Sequence, residues 1–295
     1  MNRKIIAGIR RDGRFSPNHV GNDAAIFGLT VRALRDMGYV VAEYGEADLA
    51  GGGVKEEFIF SMARSGEAVG RLKLLENEGR RVINSGYGSE NCTRANMTRI
   101  LVGNHIPHPV SLTVSTSRDP GRDLERAGVY DCWIKRGDIH AIHREDVAYA
   151  RNPAEARGVL EEFAIRGIGE AVINEHLWGD LIKFYGVRGT GFFHWFYPLV
   201  AGHSKFGLEA VNGEARGITF DEAGLRDICE KAAGILNVSV YGGDCIVGED
   251  GAARIIDFND WPSFAPCRDE AAPFIAKCIH QRAYSLCKTT GETAV

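Results

Sequence analysis

Two acids and an amide near the end of the chain have the types and spacing to do chemistry. Residues 244–259 read DCIVGEDGAARIIDFN, two apolar runs around a turn rich in glycine and acid. The pattern predicts a β-hairpin with its turn at Gly248–Ala252. Strand side chains alternate faces, so Asp257 and Asn259 should point the same way, with Ile255 below them. A register pairing Ile246 with Ile255 and Asp244 with Asp257 sets two carboxylates side by side. A slip of one residue would send Asp244 to the other face. Adjacent carboxylates raise each other's pKa unless a cation lies between them. Oxygen donors with no His nearby suit Mg²⁺, whose shell phosphates complete. Read alone, the same residues also fit a polar strand end and turn capped by Trp261-Pro262.

Two lysines stand inside apolar runs where a solvated charge is out of place: Lys135 after Cys132-Trp133-Ile134, and Lys183 within residues 180–187, DLIKFYGV. A cation on a buried strand needs partners. Carboxylates or phosphates would serve.

The elements that must carry these residues follow from hydrophobic periodicity. Lys4–Ile9, Tyr39–Glu43, Glu57–Phe60 and Arg81–Asn84 read as strands. Helical patterns over Asn22–Met37 and through Leu72 and Leu75 separate them. This βαβ alternation predicts a parallel sheet flanked by helices. Cys92–Gly103 reads as one helix, ended by Ile106-Pro107-His108-Pro109. A strand pair is expected at Leu112–Val114 and Asp131–Lys135, then a helix started by Asn152-Pro153. Strands follow at Glu170–Glu175 and Leu181–Val187. The pattern Thr219-x-x-Glu222 reads as a capping box for a helix carrying Leu225, Ile228, Cys229, Ala232 and Ile235. A last helix presents Phe274, Ile275, Cys278 and Ile279.

Composition limits the function classes. The 295 residues are 44% hydrophobic and 25% charged, with a formal net charge of −4. Such a chain buries a large core but offers no basic field for nucleic acid or an anionic membrane. No run approaches the ~20 apolar residues of a membrane span. The short apolar run after Arg3-Lys4 reads as a first strand rather than a signal peptide. Seven scattered cysteines without metal-ligand spacing suit reduced thiols in a cytoplasmic protein. A homodimer is only the base-rate expectation for a soluble enzyme of this size.

Four segments, in order, resemble the ATP-grasp superfamily, of the kind carrying a glutathione-synthetase-like ATP-binding domain. Val82-Ile83-Asn84-Ser85 followed by Asn91-Cys92-Thr93-Arg94 resembles the stretch leading out of the first domain, with Arg94 where family members often carry lysine. Cys132-Trp133-Ile134-Lys135 resembles the strand whose lysine contacts ATP phosphates. Asn174-Glu175-His176-Leu177, with residues 179–187 after it, resembles the adenine hinge and the next strand with its lysine. Ile256-Asp257-Phe258-Asn259 resembles the magnesium-binding signature, with Asp244 as a third ligand. The resemblance spans about residues 82 to 265.

It implies an ATP-grasp fold, α/β and α+β in class, in three pieces. These are an N-terminal Rossmann-like parallel-sheet domain over 1–104, a lid over 105–170, and a C-terminal mixed-sheet domain with the metal over 171–295. It implies ATP and Mg²⁺ as cofactors. Arg94, Lys135, Asn174, Glu175, His176, Leu177 and Lys183 would bind nucleotide, Lys135 and Lys183 would act in catalysis, and Asp244, Asp257 and Asn259 would hold the metal. The commonest family chemistry is a ligase that activates a small-molecule carboxylate as an acylphosphate for attack by an amine. A kinase acting on a polyol or inositol-phosphate hydroxyl is the alternative, and a non-catalytic nucleotide-binding protein is the third reading. The segment after Lys135, residues 136–144, departs from the family pattern, with one glycine and several basic side chains.

Other signals count for less. Gly51-Gly52-Gly53 lacks the Gly-Lys-Ser/Thr of a phosphate loop. Arg10, Arg11 and Arg14 follow the first strand, where open α/β sheets bind ligands. His105 and His108 read as structural, and Lys205 is a secondary candidate for an anionic acceptor.

Overall fold

Three four-stranded sheets organise the computed structural model, which describes residues 4–138, 144–198, 211 and 213–284. Lys205 and the basic residues His140 and His143 lie outside the described residues.

The first sheet holds β1 (Ile5–Ile9), β2 (Val40–Tyr44), β3 (Phe58–Ser61) and β4 (Arg81–Ile83), ordered β2-β1-β3-β4 and parallel at each pairing. Helices α1 (Val20–Asp36), α2 (Glu46–Ala50) and α3 (Gly66–Asn77) make the crossovers. Parallel strands are buried on both faces, and β1 obeys this: Ile6 packs with Ile26, Val31 and Leu34 of α1, while Ala7 and Ile9 pack with Leu72 and Leu75 of α3. Next come α4 (Gly86–Asn91) and α5 (Arg94–Gly103). The helix expected over Cys92–Gly103 is α5, which starts two residues later because Cys92 caps α4 and Thr93 is extended (φ −60, ψ 143).

The second sheet holds β5 (Ser111–Ser115), β6 (Cys132–Arg136), β7 (Val147–Ala150) and β8 (Glu170–Glu175), ordered β5-β8-β6-β7 and antiparallel throughout. The expected pairing of residues 112–114 with 131–135 does not form. Instead β8, buried from Ala171 to Asn174, lies between β5 and β6 and pairs with both. Helices α6 (Gly121–Ala127) and α7 (Pro153–Ile165) bury Leu124, Leu160 and Phe163 against Cys132, Ile134, Ala171 and Ile173. Alternation then leaves Trp133, Lys135, Val172 and Asn174 on the opposite face.

The third sheet holds β9 (Asp180–Val187), β10 (Phe192–Phe196), β11 (Val240–Val247) and β12 (Ala253–Asp260), ordered β10-β9-β11-β12. Its pairings are all antiparallel, where a mixed sheet is expected from the sequence. Helix α8 (Glu222–Ile235) packs Leu225, Cys229 and Ala232 against Ile182, Phe184, Cys245 and Phe258. Its N-cap is Asp221 rather than Thr219; the Asp221 carboxylate accepts from the Gly224 amide at 3.0 Å. The alternation of β9, with Ile182 and Phe184 buried, turns Lys183 and Tyr185 to the other face. Helix α9 (Arg268–Tyr284) returns to α1, placing Ile275 and Ile279 in one cluster with Ile26 and Leu34. The six described cysteines are buried free thiols. Among the described residues no helix is long and apolar enough to cross a membrane.

Candidate functional site

A row of charges crosses the third sheet. Asp244 on β11 lies opposite Asp257 on β12, as expected, and opposite Lys183 on β9. Lys183 Nζ donates to Asp244 Oδ1 at 2.8 Å. The rest of the register differs from expectation. An irregularity between Asp244 and Cys245 pairs Cys245 with Ile255 and Ile246 with Arg254. Ile256 becomes the extra residue of a bulge, so Ile255 moves to the core face with Phe258 instead of lying beneath Asp257. Asn259 stays on the face of Asp257, opposite Gly242.

Gly243 sets the spacing of the row. A Cβ there would meet the Asp257 carbonyl oxygen at 2.1 Å and the Phe184 ring at 2.6 Å. Gly243→Ala should therefore force β12 away from β11, costing about 1–3 kcal/mol. A urea denaturation midpoint equal to wild type would show that glycine is not what holds the strands this close.

Cations reach the row from two other parts of the fold. Arg94 opens α5, is 5% exposed, and sets its Nη2 3.3 Å from Asp257 Oδ2. Lys135 reaches over from β6, and its Nζ donates to the Ile256 carbonyl at 3.1 Å. Lys135 is 6% exposed, and burial, reinforced by Arg94 and opposed by Asp257 and Asp244, brings its pKa down to about 7. An unfolded lysine titrates near 10.4. Between these values the unfolded chain binds the extra proton, so the penalty for burying Lys135 is full below pH 7 and fades as pH rises toward 10. Relative to Lys135→Met, wild type should gain stability across that window, by at most about 1.4 kcal/mol per pH unit. Parallel stability curves for the two proteins would contradict this placement of the lysine.

The four residues 174–177 expected to form a hinge take separate positions. Asn174 is buried on the sheet face of Trp133 and donates to Ser111 Oγ at 2.7 Å. Glu175 accepts from the Val110 amide at 3.2 Å. His176 is buried at the end of β8, and Leu177 lies in the link to β9. The structure thus gathers Arg94, Lys135, Lys183, Asp244 and Asp257 into one electrostatic cluster, while residues 174–177 lie at the end of β8 in the second sheet.

His108 belongs near this cluster, although the sequence suggests a structural histidine. Its electrostatic neighbours are Lys135, Asp257 and Arg94, and burial lowers its pKa to about 4. Its Nδ1 lies 3.1 Å from Ser111 Oγ. Asp260 likewise carries no signal of its role in the sequence. It is 1% exposed, accepts from Ser89 Oγ at 3.0 Å and lies 3.5 Å from the Arg64 guanidinium. For Asp260, the alternation that turns Asp257 and Asn259 one way turns this acid inward.

The arginines after β1 are committed elsewhere. Arg11 pairs with Asp23 at 3.1 Å and donates to the carbonyls of Met62 and Trp261, tying the first sheet to the turn after β12. Arg10 pairs with Glu43, and Arg14 with Asp12 at 2.7 Å.

The donor set fits magnesium. Among the described residues no three His, Cys, Asp or Glu side chains group as a metal site. Mg²⁺ held through one or two carboxylates and substrate phosphates needs no such group, and Asp244, Asp257 and the Asn259 amide oxygen are donors of that kind.

No protein-family model matches the sequence, and no curated protein matches it by sequence. Solved structures do. A D-alanine–D-alanine ligase from Bacillus anthracis complexed with ATP is similar at a TM-score of 0.69 and 14% identity, over 99% of this chain and 100% of that one. The D-cycloserine synthetase DcsG gives 0.66 and 15%, over 94% and 99%. A RimK domain ATP-grasp protein from Sphaerobacter thermophilus gives 0.64 and 16%, again over 94% and 99%. The likeness runs nearly end to end in every case, and the chain has the ATP-grasp fold.

Proposed function

We propose that the chain is an ATP-dependent ligase that activates a small-molecule carboxylate as an acylphosphate and delivers it to an amine. One observation carries the reading: Lys183, Asp244 and Asp257 form a continuous row, and Arg94 and Lys135 converge on it from two other elements. Arg94 and Lys183 balance the two carboxylates, and Lys135, its pKa brought to about 7, takes up a proton when a polyphosphate adds its negative charge, which suits a polyphosphate that brings its own metal. The named structural neighbours include a ligase and a synthetase, which favours ligation over phosphorylation of a hydroxyl.

Phosphoryl transfer asks the protein for positioning and charge neutralisation more than for covalent chemistry. In this reading Asp244, Asp257 and Asn259 would hold Mg²⁺, which supplies charge neutralisation at the phosphate oxygens when bound. Lys183 orients Asp244 through their ion pair, and Arg94 does the same for Asp257. Lys135 leaves the Ile256 carbonyl for the phosphates as the lid, proposed as residues 105–170, closes and excludes water. The substrate carboxylate attacks the γ-phosphorus, ADP departs, and the amine then displaces phosphate from the acyl carbon. Hinge residues Asn174 to Leu177 would border the base.

Incubating the protein with MgATP, a panel of carboxylic acids and hydroxylamine tests this. A ligase forms ADP and hydroxamate in equal amounts when the right acid is present. Acceptor-dependent ADP with a stable phosphate ester would instead identify a kinase, and bound nucleotide without turnover a binding protein.

A further inference from the structure

Beside the acid row, the open face of the third sheet carries a group of aromatic rings. Pairing across the sheet puts Phe196, Lys183, Asp244 and Asp257 in one row. The next row on the same face is His194, Tyr185, Gly242 and Asn259. The row beyond it, with Phe192, Val187 and Val240, is buried in one cluster with α1 and α9. The middle row therefore lies where the core ends and the charged surface begins. Tyr185, His194 and Phe196 are half-buried there. The rings on the other side of β10, Phe193 and Trp195, pack in the α8 cluster instead.

The three rings form one patch with a fourth. Tyr185 lies 5.7 Å from Phe196 and 5.0 Å from Phe264, and His194 lies 5.9 Å from Phe196. Phe264 takes a left-handed backbone (φ 50) that bulky residues seldom adopt, and its buried ring closes the lower side of the patch. Gly242 lets the Tyr185 ring lie across β11, since a Cβ there would meet that ring at 2.6 Å and Pro262 at 2.8 Å. None of the four residues in the middle row is Asp, Glu, Lys or Arg. Burial pushes the pKa of the Tyr185 phenol up to about 12, so it stays neutral at any ordinary pH. Small-molecule sites have this composition, apolar rings beside a few placed polar groups.

We propose that these rings hold the carbon skeleton of the carboxylate substrate, which is therefore an acid with an uncharged apolar tail, aromatic or aliphatic. The inference rests on the ligase reading above and adds the class of acid to it. In that reading the attacking carboxylate reaches a γ-phosphorus held at the charged row. Its own skeleton then extends along the face, and two strand residues away, about 7 Å, it meets Tyr185 and His194. A phenyl or butyl group covers that span. A second carboxylate at the far end would instead lose its water among rings with no Lys or Arg in their row.

The test presents the full chain with MgATP, hydroxylamine and each of four acids in turn. Hexanoate and adipate match in chain length but end in a methyl group and a carboxylate; hydrocinnamate carries a ring, and acetate has no tail. Hexanoate and hydrocinnamate should form hydroxamate with kcat/KM about tenfold or more above adipate and acetate. Tyr185→Ser should lower the hydrocinnamate value about tenfold while changing the KM for MgATP less than about twofold. Tyr185→Phe should keep the wild-type preference. Calorimetry with magnesium and a non-hydrolysable ATP analogue should detect hydrocinnamate binding apart from turnover. Should Tyr185→Ser not fold, the wild-type panel and that titration decide. Adipate or acetate as the better substrate would overturn the proposal, as would equal weakening of hydrocinnamate and MgATP by Tyr185→Ser. If the analogue does not bind, the nucleotide-binding reading fails and this proposal falls with it; if the analogue binds and hydrocinnamate neither binds nor reacts, only this proposal falls.

Discussion

Asp257→Asn should leave the protein folded while removing nearly all of its ATP-dependent turnover, a loss of about 10³-fold or more for a charge that acts on a transferring phosphoryl group. The substitution keeps an acceptor oxygen facing Arg94, whose guanidinium lies 3.3 Å from the native carboxylate, so the local fold retains its hydrogen bond. What goes is the negative charge opposite Asp244. A magnesium ion would then face one carboxylate, with Lys183 already paired to it at 2.8 Å. Asn259→Ala should show the same separation of turnover from folding, because Asn259 lies on the open side of β12, between the buried Phe258 and Asp260. Steady-state ADP release and circular dichroism on both variants make the comparison. Magnesium-dependent activity retained in both would remove the acid row from the mechanism.

Asp260→Ala should act in the opposite sense, on folding first. The acid is 1% exposed, holds Ser89 Oγ at 3.0 Å, and faces Arg64, which also donates to its backbone carbonyl at 3.2 Å. Burial already lowers the pKa of Arg64. Deleting its counter-charge leaves a desolvated cation between the first sheet and the third, a cost of about 3–5 kcal/mol. Urea denaturation measures it from the shift in midpoint at constant slope. A loss under about 1 kcal/mol, the range of exposed pairs, would mean that solvent reaches Arg64 freely. Pairing the change with Arg64→Ala in a double-mutant cycle would isolate the coupling between the two.

The contrast between Asp257 and Asp260 illustrates what the sequence makes legible. Alternation along a strand says that residues 257 and 259 share a face and that 260 does not. It cannot say which face is solvated, because that depends on α8 and α4, which arrive from elsewhere in the chain. That a hairpin turns at Gly248–Ala252 was readable, but run regularly from its Val247–Ala253 pair it would set Asp244 against Ile256, and only a bulge brings Asp257 there. The bulge at Ile256 was not readable, since Ile255 and Ile256 are chemically interchangeable and only the tertiary core selects between them. The parallel first sheet was plain from its βαβ rhythm. The second sheet was not, because β8 enters between two earlier strands, and no local signal marks a strand as central. Lys135 stands out as a cation in an apolar run, whereas the bond from the Trp133 indole N–H to His176, 43 residues on, leaves no mark in the sequence. His108 escaped for a similar reason: a histidine flanked by prolines shows nothing of the Lys135, Arg94 and Asp257 charges that the fold brings to it.

The central claim is that Asp244, Asp257 and Asn259 hold a divalent cation that arrives with nucleotide. Crystals soaked with Mn²⁺ and a non-hydrolysable ATP analogue test it directly, because manganese scatters anomalously and takes oxygen ligands as magnesium does. The account predicts an anomalous peak bonded to oxygens of these three side chains when the analogue is present, with its phosphates on the far side of the ion. Nucleotide bound with the metal away from all three, or triphosphate bound at some other part of the molecule, would contradict it.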